Sequence, residues 1–272
     1  MDFIKTFNEI AEQVLPVVLN YRKNITSLNI DLKEDKTYVT QADFEIQKII
    51  IDIILKHDPN ANFIAEEKNV VKKHSETGIY TWVIDPIDGT RPFINSQSKE
   101  YCSVVCVIKE RKPIASMVLL PELGIQGKHI LIIGLLDKNE IYINGKISNN
   151  RMNKTNRNFV SVTRSSDVPP YGFENKLIEK RYNMKLIATS QTIDQLRTAL
   201  DISDITDSHL ESFDFFCRSN QKLWDGAAGM CFNMIANKRI VDMNGNNLIP
   251  FKNGLLEMKE PVHKFIFIGN SM

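Results

Sequence analysis

Residues 81–94, TWVIDPIDGTRPFI, constrain the fold of this chain more than any other stretch of its sequence. An apolar run leads into Asp85, Pro86, Ile87 and Asp88, and a glycine and a threonine follow directly. This pattern predicts a buried strand that ends in an acidic turn, with the proline stiffening the backbone between the two acids. Two like charges at the end of a core strand repel each other and lose hydration unless a cation offsets them. The stretch therefore predicts a cation site or, in the simplest alternative, only a tight turn.

Further carboxylates stand at the ends of other predicted elements: Glu66 and Glu67 close the strand ANFIAEE, and Asp225 lies in the helix WDGAAGMCFNMIANK. No cysteine or histidine belongs to these motifs, so their ligand atoms are all oxygen. Oxygen ligands suit Mg²⁺, Mn²⁺ or Ca²⁺ better than zinc. Gly89 allows a close backbone approach, and its N–H group together with that of Thr90 can bind an anion. A divalent cation beside an anion-binding turn is suited to phosphoryl chemistry.

The composition is that of an ordinary globular protein. The chain has 272 residues, enough for one large domain or two packed lobes, with 43% hydrophobic and 25% charged residues. The formal net charge of +1 and the lack of a basic stripe argue against a nucleic-acid-binding module. No apolar run reaches the roughly 18 residues of a membrane span, and the acid-containing N-terminus does not resemble a signal peptide. We therefore expect a cytoplasmic protein without a transmembrane segment.

The pattern along the chain changes between its two halves. Apolar periodicity predicts a helix at the N-terminus and another over FEIQKIIIDIILKH, and residues 69–79 are predicted to form a polar loop. Short Val/Ile-rich runs up to about residue 146 predict strands, one of which carries Cys102 and Cys106 as buried thiols on one face. After that, the predicted strands FVSVTR, MKLIATS, FDFFC, RIVDM and KFIFIG alternate with helices. We predict an α+β lobe over residues 1–150 and an α/β lobe over residues 151–272.

Three motifs occur in order along the chain: IAEE at 64–67, WVIDPIDGT at 82–90 and LWDGAAG at 223–229. In this order and at these separations they resemble the inositol monophosphatase superfamily, over nearly the whole chain from VTQAD at 39–43 onward. The resemblance implies a layered αβαβα sandwich and a lithium-sensitive phosphomonoesterase with two or three Mg²⁺ ions per active site, replaceable by Mn²⁺. It also implies a small phosphorylated metabolite as substrate and a monomer or homodimer.

The resemblance assigns roles residue by residue. Thr90 is implied to orient the attacking water, Asp43 to accept a hydrogen bond from Thr90, and Glu66 to bridge metal ions, which makes these three the catalytic set. Gly89 and Thr90 are implied to donate backbone N–H groups to phosphate, and Asp225 to meet the leaving group. The implied metal ligands are Glu66, Asp85, the backbone carbonyl of Ile87, Asp88 and Asp225.

Some of these residues also have a structural interpretation. Thr40-Gln41-Ala42-Asp43 has the pattern of a capping box for the second helix, which is compatible with the catalytic role of Asp43. Trp82 and Trp224 are predicted to anchor the core rather than to contact substrate. Glu67 is predicted to support the site or to be solvated.

The substrate is less well defined. VSVTRSS, residues 160–166, and residues 99–122 resemble the bacterial 3'(2'),5'-bisphosphate nucleotidase branch, which implies hydrolysis of adenosine 3',5'-bisphosphate to AMP. GTRPFI also resembles members that act on inositol phosphate or histidinol phosphate. In the stretch that matches the nucleotidases' Gly-Ser-Ser-Leu-Lys-like run, Asp194 stands where a lysine helps to hold a second phosphate, which weakens that assignment. The alternative from another class is a regulatory or binding relative without turnover.

Overall fold

A computed structural model of the protein describes residues 1–27, 30–32, 38–67, 77–154, 156–164, 168–256 and 262–270. Within these ranges the seven α-helices, α1 to α7, are Phe3–Lys23, Gln41–His57, Thr90–Ile94, Glu174–Glu179, Gln191–Ala199, Leu223–Ile235 and Asn253–Leu256. In the same ranges the fourteen strands, β1 to β14, are Ile30–Leu32, Tyr38–Thr40, Asn62–Ala65, Thr81–Asp88, Cys102–Lys109, Lys112–Leu120, Ile130–Leu135, Glu140–Ile143, Lys146–Ile147, Phe159–Thr163, Asn183–Lys185, Phe215–Lys222, Arg239–Val241 and Val262–Gly269.

The strands form two large sheets and one small pair. Strands β3 to β9 make a seven-stranded sheet in chain order, parallel between β3 and β4 and antiparallel elsewhere. The second sheet has the order β11-β10-β12-β14-β13, in which β10 runs parallel to both of its neighbours and β14 runs antiparallel to both of its own. Strands β1 and β2 pair separately.

Alternation along the strands sorts the core into layers, because successive side chains of a strand point to opposite faces. In β5, Val105 and Val107 pack with the apolar residues of α1 and α2, whereas Val104 and Cys106 pack with those of α5 and α6. The far side of α5 and α6 packs on the second sheet through residues such as Phe216, and the outer face of that sheet packs against the segment that carries α4. The order of layers is αβαβα, so the predicted fold class is confirmed.

Most predicted elements are present with small shifts. Cys102 and Cys106 are buried free thiols, and Trp82 is fully buried with its indole N–H donating to Asp58 at 2.9 Å. The prediction MKLIATS was wrong in extent, because β11 ends at Lys185 and the apolar side chains that follow are exposed. The predicted strand FDFFC begins two residues too early and ends too soon, because β12 runs from Phe215 to Lys222.

Two further predictions concern the loop over residues 69–79 and the division into two lobes. Most of the predicted loop over residues 69–79 lies outside the described residues. The division into lobes at residue 150 stays a prediction: the first sheet ends at Ile147 and the second begins at Phe159, but one apolar cluster contains residues of both sheets. Among the described helices, none is both long and apolar enough to cross a membrane.

Candidate metal centre and active site

The opening stretch forms a strand with an irregularity rather than a strand followed by a turn. Strand β4 runs through both Asp85 and Asp88, and its register against β5 shifts between them. The hydroxyl of Ser103 on β5 donates to the carbonyl oxygen of Pro86 at 2.7 Å, which holds the irregular part in place. A bulge re-aims side chains, so the two aspartates need not alternate between faces as they would in a regular strand.

Three aspartates converge at this point. One carboxylate oxygen each from Asp85, Asp88 and Asp225 lies within 4.8 Å of the others, although Asp225 comes from the first turn of α6, far along the chain. Asp85 and Asp88 are buried and Asp225 is partly buried. Burial raises the pKa of Asp85 well above its ordinary value, and the charges of Glu66, Asp88 and Asp225 raise it further. Burial and the neighbouring acids raise the pKa of Asp225 to about 8. Such a cluster is expected where a cation neutralises the acids.

The first turn of α5 binds Asp88 directly. The Ser190 hydroxyl and the backbone N–H of Thr192 both donate to Oδ2 of Asp88 at 2.7 Å, and the N–H of Gln191 donates to Oδ1 at 3.3 Å. Burial raises the pKa of Asp88, and these hydrogen bonds oppose that rise because they favour the ionised carboxylate. The helix therefore orients one carboxylate of the cluster.

The side chain of Gln191 extends this support to the third aspartate. Its Nε2 donates to Oδ2 of Asp225 at 2.7 Å, and its Oε1 accepts a hydrogen bond from Gln221 at 2.9 Å. The sequence patterns did not identify Ser190, Gln191 or Thr192 as part of the site. A serine directly before an apolar-periodic helix is a signal for an N-cap, but it does not indicate which carboxylate the helix will meet.

Glu66 stands at the edge of the aspartate cluster. It follows β3, its backbone N–H donates to the carbonyl of Ile84 at 3.1 Å, and its charge raises the pKa of Asp85. The next residue, Glu67, is buried rather than solvated, and Gln47 of α2 makes two hydrogen bonds to its backbone, at 2.9 and 3.0 Å. Glu66 lies outside the 4.8 Å group of the three aspartates, and its role as a bridging ligand stays a prediction.

Asp43 caps α2 and keeps one oxygen without a partner. Its Oδ2 accepts hydrogen bonds from the backbone N–H and the hydroxyl of Thr40, both at 2.7 Å, whereas its buried Oδ1 has no hydrogen-bond partner among the described residues. Burial raises the pKa of Asp43 to about 7, and the charges of Glu66 and Glu67 contribute to the rise. Both interpretations of Asp43 therefore remain compatible with its surroundings.

The predicted hydrogen bond from Thr90 to Asp43 is not formed in this structure. The Thr90 hydroxyl donates instead to the carbonyl oxygen of Ile87 at 3.3 Å, the same oxygen that was predicted to bind a metal. Gly89 precedes Thr90 with φ 92°, a left-handed conformation that favours glycine. A Cβ at Gly89 would lie 3.1 Å from the carbonyl oxygen of Glu100, so this position requires a residue without a side chain.

Asp194 belongs to a buried ion-pair network instead of the site itself. It accepts hydrogen bonds from Lys185 at 2.7 Å and from Ser161 at 2.9 Å. Lys185 also donates to Glu100 at 3.0 Å and to Thr189 at 2.7 Å, which ties the segment before α5 to the segment before β5. Asp194 is therefore already satisfied by its neighbours, and its charge makes it unsuited to bind a phosphate.

The chain is thus an αβαβα protein in which three aspartates converge. Their carboxylate oxygens form a site suited to a cation at the N-terminal ends of α5 and α6. The sequence model of the inositol monophosphatase family matches residues 2–266. The chain belongs to this family, so the resemblance seen in the three motifs is confirmed.

Individual relatives are more distant. A 3'(2'),5'-bisphosphate nucleotidase CysQ from Haemophilus influenzae is 28% identical over 126 residues, which cover 44% of this chain and 46% of that protein. An inositol-1-monophosphatase from Mesorhizobium japonicum is 23% identical over 230 residues, covering 81% of this chain and 78% of that protein. The chain aligns with less than half the length of the first curated relatives.

Solved structures share the fold over the full length. The extragenic suppressor protein suhB from Bartonella henselae has a TM-score of 0.73 at 20% identity and covers 100% of this chain and 95% of its own. An IMPase/NADP phosphatase complexed with NADP and Ca²⁺ has a TM-score of 0.74 at 19% identity and covers 98% and 90%. At these identities the likeness establishes the fold alone.

The residues present fit a hard divalent cation. Three carboxylates supply only oxygen atoms, and because burial raises the pKa of each of them, a cation beside them would favour their ionised forms. The unpartnered Oδ1 of Asp43 is a further buried acceptor beside Glu66. Asp85, Asp88 and Asp225 are therefore the residues that would hold a metal ion.

Proposed function

We propose that this protein is a magnesium-dependent phosphomonoesterase that hydrolyses a small phosphorylated metabolite by direct attack of water. The observation that carries the proposal is the convergence of Asp85, Asp88 and Asp225 within 4.8 Å, with Thr90 two residues after Asp88 at the start of α3. A structural neighbour is an IMPase/NADP phosphatase complexed with Mg²⁺ and phosphate, which supports the choice of both the ion and the group transferred.

Each residue has a proposed task that follows from its surroundings. When bound, magnesium ions lower the pKa of a water, which is about 15.7 in bulk, and offset the charge of the phosphate. Glu66, Asp85, Asp88, Asp225 and the carbonyl of Ile87 would hold the ions, and the backbone N–H groups of Gly89 and Thr90 would bind the phosphate. Asp225, which accepts a hydrogen bond from Gln191, would meet the leaving alcohol.

Thr90 is proposed to orient the attacking water by exchanging its present hydrogen bond to Ile87 for one to Asp43. Asp43 has a free buried acceptor, Oδ1, for this purpose. The acceptor must be ionised, and cations near Glu66 favour ionisation because they offset the charges that raise the pKa of Asp43. No group on the chain is then required to form a covalent phosphoenzyme.

Within this class we propose adenosine 3',5'-bisphosphate as the first substrate to test, with hydrolysis to AMP. The match to the Haemophilus influenzae nucleotidase supports this choice. Inositol 1-phosphate is the second candidate, supported by the longer alignment to the Mesorhizobium japonicum inositol-1-monophosphatase. Histidinol phosphate is a further alternative from the sequence, as is a catalytically weak regulatory relative.

The test is the release of phosphate from a panel of adenosine 3',5'-bisphosphate, inositol 1-phosphate, fructose 1,6-bisphosphate and histidinol phosphate, with and without Mg²⁺. Asp85→Asn should abolish most release, whereas the matched control Asp52→Asn, at an exposed position paired with Lys48, should behave as the wild type. A single turnover in ¹⁸O-water should place the label directly in phosphate. No Mg²⁺-dependent release from any member, or unlabelled phosphate in the first turnover, would refute the proposal.

A further inference from the structure

Basic residues lie near the level at which β10 and β11, two of the three parallel strands of the second sheet, end. Lys185 is the last residue of β11, Arg164 follows β10, and Arg218 of β12 lies opposite Thr163, the last residue of β10. In open sheets with parallel strands, ligands bind outside the carboxyl ends of the strands. The helix that carries Asp225 begins directly after β12, so the candidate metal site lies at this same edge.

Two of these three cations are already neutralised. Lys185 lies 2.7 Å from Asp194 and 3.0 Å from Glu100, and Arg164 lies 2.6 Å from Glu174. In these pairs the charges of Lys185 and Arg164 are offset by carboxylates, so these two side chains are less able to attract an anion. They also explain why the basic residues of this edge do not form a simple positive patch.

Arg218 is the exception. Its Nη1 donates to the hydroxyl of Thr163 at 3.2 Å, and it forms no ion pair with any described carboxylate. Its Nε is buried and has no hydrogen-bond partner among the described residues. A guanidinium group with a buried donor that has no partner is a costly feature in a folded protein unless a ligand completes it.

The side chain of Arg218 belongs to the face of β12 that looks toward the candidate metal site. Phe216, two residues earlier, packs in the layer of α5 and α6, whereas its neighbours Phe215 and Cys217 pack on the outer face of the sheet. Residues two apart in a strand share a face. In agreement, the positive charge of Arg218 acts on Asp225, whose pKa it lowers against the effect of burial.

We propose that Arg218 binds a second phosphate, carried by the part of the substrate that leaves as the alcohol. The planar guanidinium offers two parallel N–H donors, which suit a phosphate group. This inference rests on the proposed phosphatase function and deepens it. It would also provide a cation for a second phosphate in a chain that lacks the lysine expected at position 194, where Asp194 is engaged with Lys185.

The test compares substrates that differ only in the second phosphate. Adenosine 3',5'-bisphosphate is compared with adenosine 3'-monophosphate, and inositol 1,4-bisphosphate with inositol 1-phosphate, in the Mg²⁺-loaded wild type and in Arg218→Gln, Arg218→Lys and Arg157→Gln. The ratio of kcat/KM values, bisphosphate over monophosphate, should fall about 10- to 100-fold in Arg218→Gln, as expected for the loss of a charged hydrogen bond. Arg218→Lys should recover part of the ratio. Arg157→Gln should keep the wild-type ratio, since Arg157 pairs with Asp201 and Glu211 at the surface.

A binding measurement separates recognition from turnover. Calorimetry with adenosine 5'-monophosphate, the product that keeps the second phosphate, and with adenosine as the uncharged reference should give weaker nucleotide binding in Arg218→Gln. A wild type that hydrolyses both monophosphates at least as efficiently as the bisphosphates, or a ratio unchanged in Arg218→Gln, would overturn the inference while leaving the phosphatase function intact. The absence of Mg²⁺-dependent hydrolysis of every substrate would instead overturn the proposed function.

Discussion

Replacing Asp225 with asparagine in the metal-free protein should stabilise the fold at high pH and not at low pH. The pKa of Asp225 is raised from an ordinary 3.8 to about 8 by burial and by the charges of Asp88 and Glu66. A carboxyl whose pKa is higher in the folded state favours folding while it is protonated. That contribution is complete below the ordinary pKa and is lost as the pH rises through the folded value.

The size of the effect follows from the shift. Each pKa unit corresponds to about 1.36 kcal/mol, so a rise from 3.8 to about 8 sets an upper limit of about 6 kcal/mol. Asp225 is only partly buried, and solvent screening reduces the penalty, so we expect about 1–3 kcal/mol at high pH. In a chain of this size each kcal/mol shifts the melting temperature by about 2–4 °C. The asparagine keeps the shape of the side chain and removes only the charge.

The assay is thermal unfolding in EDTA at about pH 8.5 and at about pH 3, which is below the ordinary pKa, with Asp52→Asn as an exposed control. Asp225→Asn should melt higher than the wild type at the higher pH and equally at the lower pH. With saturating Mg²⁺ the order should reverse, because ligand binding to the folded state stabilises the wild type more. If the variant is destabilised in EDTA at the higher pH, Asp225 contributes to folding and the electrostatic account of the cluster is wrong.

Two further outcomes are expected. Thr90→Ala should lower kcat by about 10²-fold or more, as for the loss of a group that positions the attacking water, while calorimetry should find nearly unchanged Mg²⁺ affinity. A trapped phosphothreonine at Thr90 would contradict the positioning role. Gly89→Ala should lower the free energy of unfolding by about 1–2 kcal/mol in urea, because φ is 92° and a Cβ meets Glu100; Gly145→Ala, which also has a positive φ but open space, should cost less.

The three motifs singled out Asp85, Asp88 and Asp225 as acids of one site, and the resemblance that the motifs carry implied the αβαβα layers. Asp85 and Asp88 are close in sequence, but Asp225 joins them only because α6 begins where β12 ends beside α5. Strand alternation, visible in Val104 and Val105, specifies which face packs on which helix pair. Such alternation has a fixed period and predicts individual strands and helices, whereas the order of the layers was implied by the resemblance to the family.

Contacts between distant segments could not be predicted in the same way. The irregular register of β4 depends on Ser103 holding the carbonyl of Pro86, and no local pattern in either residue indicates this pairing. The sequence indicates only that Asp194 replaces an expected lysine. Its partners in the structure, Lys185 and Ser161, come from strands β11 and β10. The orientation of a side chain inside a site depends on such partners, which have no periodic signature.

Asp88 is where these long-range contacts bear most directly on metal binding. Three hydrogen bonds to its carboxylate come from the N-cap and first turn of α5, and they favour the ionised form that a cation requires. Ser190→Ala removes the side-chain donor but leaves the two backbone donors, so Mg²⁺ affinity should fall by about 10-fold, the usual value for losing a hydrogen bond to a charged group.

The same change also removes the N-cap of α5, because Ser190 accepts from the N–H of Ile193 at 3.1 Å. Ser190→Asn, which keeps a capping oxygen, separates the two effects: its stability should recover, and its Mg²⁺ affinity should remain lower than that of the wild type. Unchanged Mg²⁺ affinity in both variants would mean that α5 only packs against Asp88 and does not prepare it for the ion.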